Sequence, residues 1–497
     1  MSIRIPIPHR RVVPMGALAV ASLLALGACA ARPPVEAPKA AAPAQWGAPL
    51  PEEAAWPHEG RLSSLVRWWA AFGGPDLAAL VHAAQEASPS ISSAAARRAQ
   101  AQAERAAAGS VLVPQADLAV SAQRRSASPP FPAGELAQGG LQLSWEWDVF
   151  GGLRAQRQSA QWRLQSADAA WHDARVSLAA AVALQVLSWR HCEATRRLLE
   201  RDAEAAGRSA QTMRRLADAG LQAPEQAAAA EAGAAQSRNR ARAQTQRCDA
   251  DVKALVQYTA WTEPQVRERL AAMVAVEAAG PEDGVDLLAR PLRHVPALPA
   301  ATLAQRPDVF MAAAAVAAAA ADVGTQEAQR FPRVGLTGSI GRLDSQTAAG
   351  RVSLDTWSVG PLSISLPVFD AGRRAAQVEA ARARYDDAVR QHAAVVRRAV
   401  REVEDALLGL DTSARQARDA RLALDSARSV LNAVRQRQAR GLASTLQADE
   451  ALRSALSAEA AWLDLQRSRL AAWVSLYRAA GGGWSPDAQV SLNHSAP

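Results

Sequence analysis

Cysteine supplies the first candidate chemistry. Leu26-Gly27-Ala28-Cys29 closes an apolar run that begins after Arg10 and Arg11. A basic start, a short hydrophobic stretch, small residues and then a thiol form the export signal of a bacterial lipoprotein. The expected chemistry is cleavage before Cys29, with diacylglycerol on the sulfur and palmitate on the freed amine. The run is interrupted by Pro14 and is too short for a stable span. An exported chain also folds where disulfides persist. Cys192 lies 28 residues before Gly220 and Cys248 lies 28 residues after it. If the chain folds back on itself at Gly220 as two antiparallel helices, equidistant positions face each other. A Cys192–Cys248 bridge is expected, contributing about 3–4 kcal/mol. The alternatives are two buried free thiols, or a metal site that would include His191.

Other reactive constellations are missing from the sequence. It has no GxSxG elbow, P-loop, HExxH or CxxC, and its eight histidines are scattered. Glu402, Glu404 and Asp405 share one helical stretch and read as solvated or packing charges. Gly481-Gly482-Gly483-Trp484 has no strand before it and no helix after it, so it does not cradle phosphate. No enzyme, metal or cofactor is expected beyond the covalent lipid.

Composition narrows the partners. The net charge is +8, and loss of Arg4, Arg10 and Arg11 with the leader leaves +5. Basic residues are interspersed with acids along helical stretches, without aromatics between them, which argues against nucleic acid. Aromatics are only 5%, so the chain suits long helices packed through alanine rather than one wide core. Beyond the leader no stretch reads as a helical span. Met311–Ala321 is largely alanine and is followed by Asp322. Any crossing of a bilayer is therefore expected to be made of strands.

The elements that would position these residues occur twice. Val113-Pro114-Gln115 returns as Phe331-Pro332-Arg333, Asp148-Val149-Phe150 as Pro367-Val368-Phe369, and Ala219-Gly220-Leu221 as Arg440-Gly441-Leu442, at offsets of 218 to 221. Each copy reads strand, loop, strand, long helix, turn, long helix. Leu141, Leu143, Trp145, Trp147 and Val149 alternate with polar residues, as do Ala116, Leu118, Val120 and Ala122. The expected strands are 115–124, 140–149, 333–343 and 356–367, joined by polar connections at 124–138 and 342–355. Their length suits one tilted crossing of a bilayer. Four strands cannot close a barrel and lipid does not tolerate open edges, so several chains would have to share one. The stretches from Leu153 to Ala219 and from Arg373 to Arg440 lack proline and predict helices of roughly 100 Å each. Gly220 and Gly441 end them and supply left-handed caps.

These residues resemble a known family, the TolC/OprM-like outer-membrane factors of tripartite efflux systems, in their lipoprotein (NodT-type) branch. The matching pieces include Trp68-Trp69-Ala70-Ala71-Phe72-Gly73-Gly74-Pro75-Asp76-Leu77, Arg306-Pro307-Asp308-Val309, Leu366-Pro367-Val368-Phe369-Asp370 with Gly372-Arg373, Arg437 with Gly441-Leu442, and Leu476-Tyr477 with Gly481-Gly482-Gly483-Trp484. The resemblance covers about residues 60–485. It implies a mainly α fold with β, in which a homotrimer shares one twelve-stranded outer-membrane barrel above an α-helical periplasmic tunnel. It also implies a periplasmic adaptor and an inner-membrane pump of the RND type as partners. The turn tips would carry the docking and gating residues: Gly220, Leu221, Arg437, Gly441, Leu442, Asp449 and Glu450. The family's aspartate six residues after each tip glycine is replaced by Gln226 and Gln447, its tyrosine after Arg437 by Gln438, and its first-repeat arginine by Leu216.

The expected organisation is thus a signal peptide at 1–28, a Pro/Ala-rich lipid tether at 29–60, a first repeat at 61–280, a linker or equatorial region at 281–305, a second repeat at 306–480 and a tail at 481–497. The leading function is a passive exit duct for small molecules, lipid-anchored in the outer membrane of a Gram-negative bacterium. A type I secretion outlet and a periplasmic adaptor lipoprotein are the alternatives.

Overall fold

The computed structural model describes residue 43, residues 46–49, 62–126, 134–278, residue 303, and residues 306–347 and 350–484. The signal peptide, Cys29, most of the tether, nearly all of the 281–305 region and the tail beyond Trp484 lie outside the described residues. The elements run α1 (Leu62–Ala87), α2 (Pro89–Ser110), β1 (Gln115–Arg125), β2 (Gly134–Trp147), α3 (Gly152–Asp218), α4 (Pro224–Thr259), α5 (Glu263–Ala278), α6 (Pro307–Ala328), β3 (Arg333–Thr347), β4 (Gly350–Ser365), α7 (Arg373–Ala439) and α8 (Thr445–Ala479). Helices α3 and α7 each have 67 residues. The chain divides into two compact units. One contains Arg97–Ala167 and Ala312–His392; the other contains Ala40–Ala96, Asp168–Met311 and Ala393–Pro497.

The first unit holds a four-stranded antiparallel sheet in the order β1-β2-β3-β4. The two sequence copies contribute one hairpin each, joined by pairing of β2 with β3. Register turns the period-two pattern into whole rows. Leu118, Leu141, Ile340 and Trp357 stand side by side across all four strands, and the next row is Asp117, Gln142, Ser339 and Ser358. Further rows on the apolar face are Trp145 with Leu336 and Leu362, and Trp147 with Val334 and Ile364. Leu118, Trp357 and Val359 are more than three-quarters exposed. Along these rows one face of the sheet is therefore apolar and, among the described residues, uncovered, and the other is polar. At the middle of the β2–β3 pairing, a Cβ on Gly140 would lie 2.8 Å from the Ile340 carbonyl oxygen, and one on Gly341 would lie 2.6 Å from that of Gly139. Only glycine fits either position.

The strands extend further than the sequence pattern indicates. β2 begins at Gly134 rather than 140 and ends at Trp147 rather than 149, β3 reaches Thr347 rather than 343, and β4 spans 350–365 rather than 356–367. Much of the expected connections at 124–138 and 342–355 is paired strand. The physical reason is a change of face character beyond the Leu141–Ile340 row. There Arg342, Asp344 and Asp355 occupy the face that is apolar below, while Leu343 and Leu354 occupy the other. Alternation, which marks the strand in sequence, breaks while backbone pairing continues.

Carboxylates start the long helices. Asp148 accepts from the Leu153 and Arg154 amides (3.0 and 2.9 Å) at the head of α3, and Asp370 accepts from Gly372 and Arg374 (3.2 and 3.3 Å) at the head of α7. Both place negative charge at a helix N-terminus, where unpaired N–H groups favour it. The capping acid precedes the Val-Phe pair in the first copy and follows it in the second. Small side chains then allow close packing: a Cβ on Gly152 would come within 2.8 Å of Ala328 Cβ on α6. That helix is long and apolar enough by composition to cross a membrane, contrary to the sequence reading, but nearly half of its apolar stretch is buried within the chain. Asp322 on it pairs with Arg163 at 2.6 Å, so it acts as a packing helix.

The second unit is a helical bundle. Its largest cluster joins Trp69, Leu80, Val182, Val252, Leu270 and Tyr477, with Trp69 and Tyr477 rings 5.1 Å apart. Arg306 is buried near a second cluster that includes Leu303, Val309, Val403 and Ala479. Arg306 donates to both Asp308 carboxylate oxygens (2.9 and 2.8 Å), to Glu402 (2.7 Å) and to the Ala479 carbonyl (2.7 Å). Glu402 is thus a structural partner rather than a solvated charge. Burial works against the Arg306 charge, but its two carboxylates outweigh that and raise its pKa; burial likewise opposes the Asp308 charge, and Arg306 holds its pKa below the usual carboxylate range. Nearby Asp173 is pushed up, first by burial and then by repulsion from Asp308.

Two outcomes follow. Arg306→Ala leaves the half-buried Asp308 and Glu402 carboxylates without their partner and should lower unfolding stability by about 2–3 kcal/mol, read as a lower thermal midpoint of the detergent-solubilised protein. Asp173→Asn should raise stability at neutral pH. The ionised carboxylate is penalised in the fold, so the gain of the asparagine is full above the raised folded pKa and should shrink to nothing as pH falls through it toward the unfolded value of 3.8. Melting curves at pH 4 and pH 7.5 check this, and an equal effect at both would contradict it.

Candidate functional site

Both turn tips are built by backbone geometry. At the first, Gly220 takes φ +69°, its amide bonds to the Ala217 carbonyl (2.9 Å), and the Leu221 amide reaches the Leu216 carbonyl (2.8 Å). At the second, Gly441 takes φ +74°, and the Leu442 amide reaches the Arg437 carbonyl (2.8 Å). This is the same Schellman closure twice, and a Cβ at either glycine would force a side chain into the left-handed region. Leu221 and Leu442 point outward, 71% and 66% exposed.

The return helices start differently. α4 begins with Pro224 at its first turn and has no side-chain cap. α8 begins with a full capping box: the Gln447 amide donates to Ser444 Oγ (3.2 Å), and the Ser444 amide donates to Gln447 Oε1 (2.9 Å). Gln447 stands where the family resemblance implies an acid, and here it closes its own helix. Among the described residues Arg437 meets no carboxylate. Its Nη2 donates to the Leu442 carbonyl (3.3 Å) and holds the turn.

The two expected tip acids separate. Glu450 is exposed. Asp449 is buried, and its Oδ1 accepts from Arg208 Nε and Nη2 on α3 (3.1 and 2.7 Å) while Oδ2 lies 3.4 Å from Ser209 Oγ. Asp449 therefore ties the second hairpin to the first, and it is not a free member of an acidic ring. Two further contacts run along the same helix pair. Asp202 on α3 meets Arg453 on α8 at 2.8 Å and Arg240 on α4 at 3.5 Å. His191 on α3 lies 2.7 Å from Asp464 on α8. Asp202 and His191 are three helical turns apart, as are Arg453 and Asp464, so the register is antiparallel and constant. Burial lowers the His191 pKa against the opposing pull of Asp464. Ala194, Leu198, Ala205, Leu452, Leu456 and Leu463 fill the space between these contacts.

Within the first hairpin, Cys192 and Cys248 are joined as a disulfide across α3 and α4, with Cα atoms 5.5 Å apart. Gln185 Nε2, two turns along α3 from Cys192, donates to Asp251 (2.7 Å). No group of three or more His, Cys, Asp or Glu suited to a metal occurs among the described residues. Nearer the tip, α3 and α4 leave a recess of about 400 Å³ lined by Gly207, Ala210, Arg214, Glu231, Ala234 and Arg238. Arg214 crosses it to Glu231 at 2.8 Å.

Sequence reasoning missed Arg208, Asp202 and Arg453, because which face of α3 meets α8 is a tertiary fact. It could have found the Ser444–Gln447 box, whose spacing is a start signal in its own right.

A duplicated strand-pair and helical-hairpin unit, with an apolar sheet face and glycine-closed tips, is the fold of outer-membrane channel subunits. A family profile described as "Outer membrane efflux protein" matches residues 80–260 and 298–482, and the chain belongs to that family. It is 28% identical over 486 residues to the pyoverdine export outer membrane protein OpmQ of Pseudomonas aeruginosa, covering 95% of this chain and 97% of that one. Over 193 residues it is 36% identical to the outer membrane protein OprJ of the same organism, covering 38% and 40%. Among solved structures, the outer-membrane channel OprN superposes with a TM-score of 0.71 at 26% identity, covering 90% of this chain and 99% of that one. VceC of Vibrio cholerae shares the fold with a TM-score of 0.69 at 22% identity, covering 86% and 100%. The relatives are channels rather than enzymes, and the place of this chain is the Gram-negative outer membrane, extending into the periplasm.

Opening the disulfide should cost about 4 kcal/mol for a closed loop of this length. Paired Cys192→Ala and Cys248→Ala replacement, followed by denaturant unfolding of the detergent-solubilised protein, measures it. Unchanged stability would mean the thiols are not joined in the exported protein.

Proposed function

We propose that the chain is the exit duct of a tripartite efflux system, working as a homotrimer. Three copies supply four strands each to one barrel, and their helical hairpins form the periplasmic tunnel. The carrying observation is the sheet itself: apolar rows from the Leu118–Trp357 row down to the helices and, among the described residues, two unpaired edges, on β1 and β4. Lipid on Cys29 adds an anchor beside the barrel. No cofactor takes part, and transport energy comes from an inner-membrane pump of the RND type.

The turn tips are the docking surface for a periplasmic adaptor. Exposed Leu221 and Leu442 offer apolar contacts, and the small-residue recess beside Gly207 and Ala234 leaves room for a helix to approach. The closed state is held by the contacts between hairpins, with Asp449 as the main tie. The disulfide stiffens the first hairpin, so that opening moves the second against it. In this reading Glu450 has no part in the closed state.

Deletion of the gene should sensitise cells to the exported compounds, and the complemented gene should restore resistance. Unchanged susceptibility across a broad panel would contradict the efflux role. In planar bilayers Asp449→Ala should raise leak conductance severalfold by leaving Arg208 unpaired, while Glu450→Ala should stay at the wild-type level. Equal conductance in the two variants would remove the tie from the account.

A further inference from the structure

The apolar face of the sheet ends abruptly toward the hairpin connections, the end opposite that from which β2 and β4 run on into α3 and α7. Two residues beyond the Leu118–Leu141–Ile340–Trp357 row, about 7 Å along the strands, the same face carries Arg342 and Asp355. The rows after it add Asp344 with Ser353, Gln346 with Arg351, and Arg124 with Glu135. All point to the side that is apolar below. Ser353 Oγ donates a short hydrogen bond to Asp344, but the arginine–carboxylate contacts are loose. Arg124 and Glu135 are 3.7 Å apart, as are Arg342 and Asp355, and Arg124, Arg342 and Asp355 are 85%, 63% and 86% exposed. A recess of about 360 Å³ opens on this face between Arg124, Glu135, Ala137, Asp344, Gln346 and Arg351.

We propose that this rim is a binding surface for the phosphorylated headgroups of the outer-leaflet glycolipid. The proposal rests on the reading of the sheet as a barrel wall, because that reading turns the apolar rows toward lipid and sets the charged rows at headgroup depth. Mixed charge fits this occupant. Arg124 and Arg351 flank the recess and can take phosphate oxygens, for which guanidinium is well shaped. Glu135 and Asp344 face the divalent cations that bridge neighbouring phosphates, since hard cations take carboxylate oxygen. A rim of arginine alone would bind phosphate but repel those cations, and a rim of acids would repel the phosphate. Arg124 and Arg342 are held in weak, exposed pairs, so a headgroup can replace one contact with another at little loss.

The test uses the full chain, purified in detergent, with diphosphorylated lipid A in the presence of magnesium, and counts bound lipid per particle by native mass spectrometry. The wild-type protein should retain diphosphorylated lipid A at least about tenfold better than its dephosphorylated form. The double variant Arg124→Gln with Arg351→Gln should lose that preference. Equal retention of the two lipids by the wild-type protein, or an unchanged preference in the variant, overturns the proposal. Pore formation by the same preparations in planar bilayers separates the two levels. Pores with unchanged retention reject the rim alone, whereas the absence of both three-chain particles and pores rejects the channel reading beneath it.

Discussion

Two strand edges without partners govern the structure. Among the described residues β1 pairs only with β2 and β4 only with β3, so each outer strand has backbone groups on one side that must be satisfied elsewhere. Hydrocarbon provides no donors or acceptors, and each unsatisfied group there costs several kcal/mol. The apolar rows push this sheet toward lipid while its edges forbid it from standing there alone. Association of copies through β1 and β4 resolves the conflict. Duplication within the chain is a first step of the same kind, since pairing of β2 with β3 already removes two edges that a single copy would expose. Gly360 and Pro361 in β4 sit beside the register shift opposite Leu336 and Gly338, where a residue without an N–H is tolerated on an outer strand.

The helical part depends on small side chains and on charges placed between them. Alanines at 194 and 205 bring α3 close to α8, and the contacts of His191, Asp202 and Arg208 with Asp464, Arg453 and Asp449 fix the register. Exposed ion pairs contribute little to stability. Asp449 differs because it is buried, and removing its arginine would leave an uncompensated charge. The disulfide ties α3 to α4 close to the level at which His191 contacts α8. One helix therefore holds both neighbours, covalently on one side and by ionic contacts on the other. Arg306 does comparable work among α6, α7 and α8 through Asp308, Glu402 and the Ala479 carbonyl.

Much of this was legible in the sequence where one local rule acted alone. Gly220 and Gly441 mark the turns because the left-handed cap favours glycine. The equal spacing of Cys192 and Cys248 about Gly220 singled out the pair that the structure joins. The apolar rows through Leu118 and Leu141 were visible as alternation. What was not legible depended on tertiary contact. The outer ends of the strands lost their pattern because Arg342 and Leu343 exchange the two faces. Asp449 and Glu450 are adjacent, and only the α3–α8 register decides that one is buried and the other exposed. Glu402 and Glu404 look alike in sequence, yet Glu402 meets Arg306 and Glu404 accepts from the Gly47 and Ala48 amides (2.7 and 2.6 Å).

The measurement that bears most directly on the open-edged sheet is the number of chains per particle. Light scattering coupled to size exclusion, with the detergent mass subtracted, counts them. Three chains per particle are expected, with dissociation only under conditions that unfold the strands. A single chain that stays dispersed in detergent-free buffer after removal of its lipid would contradict the account.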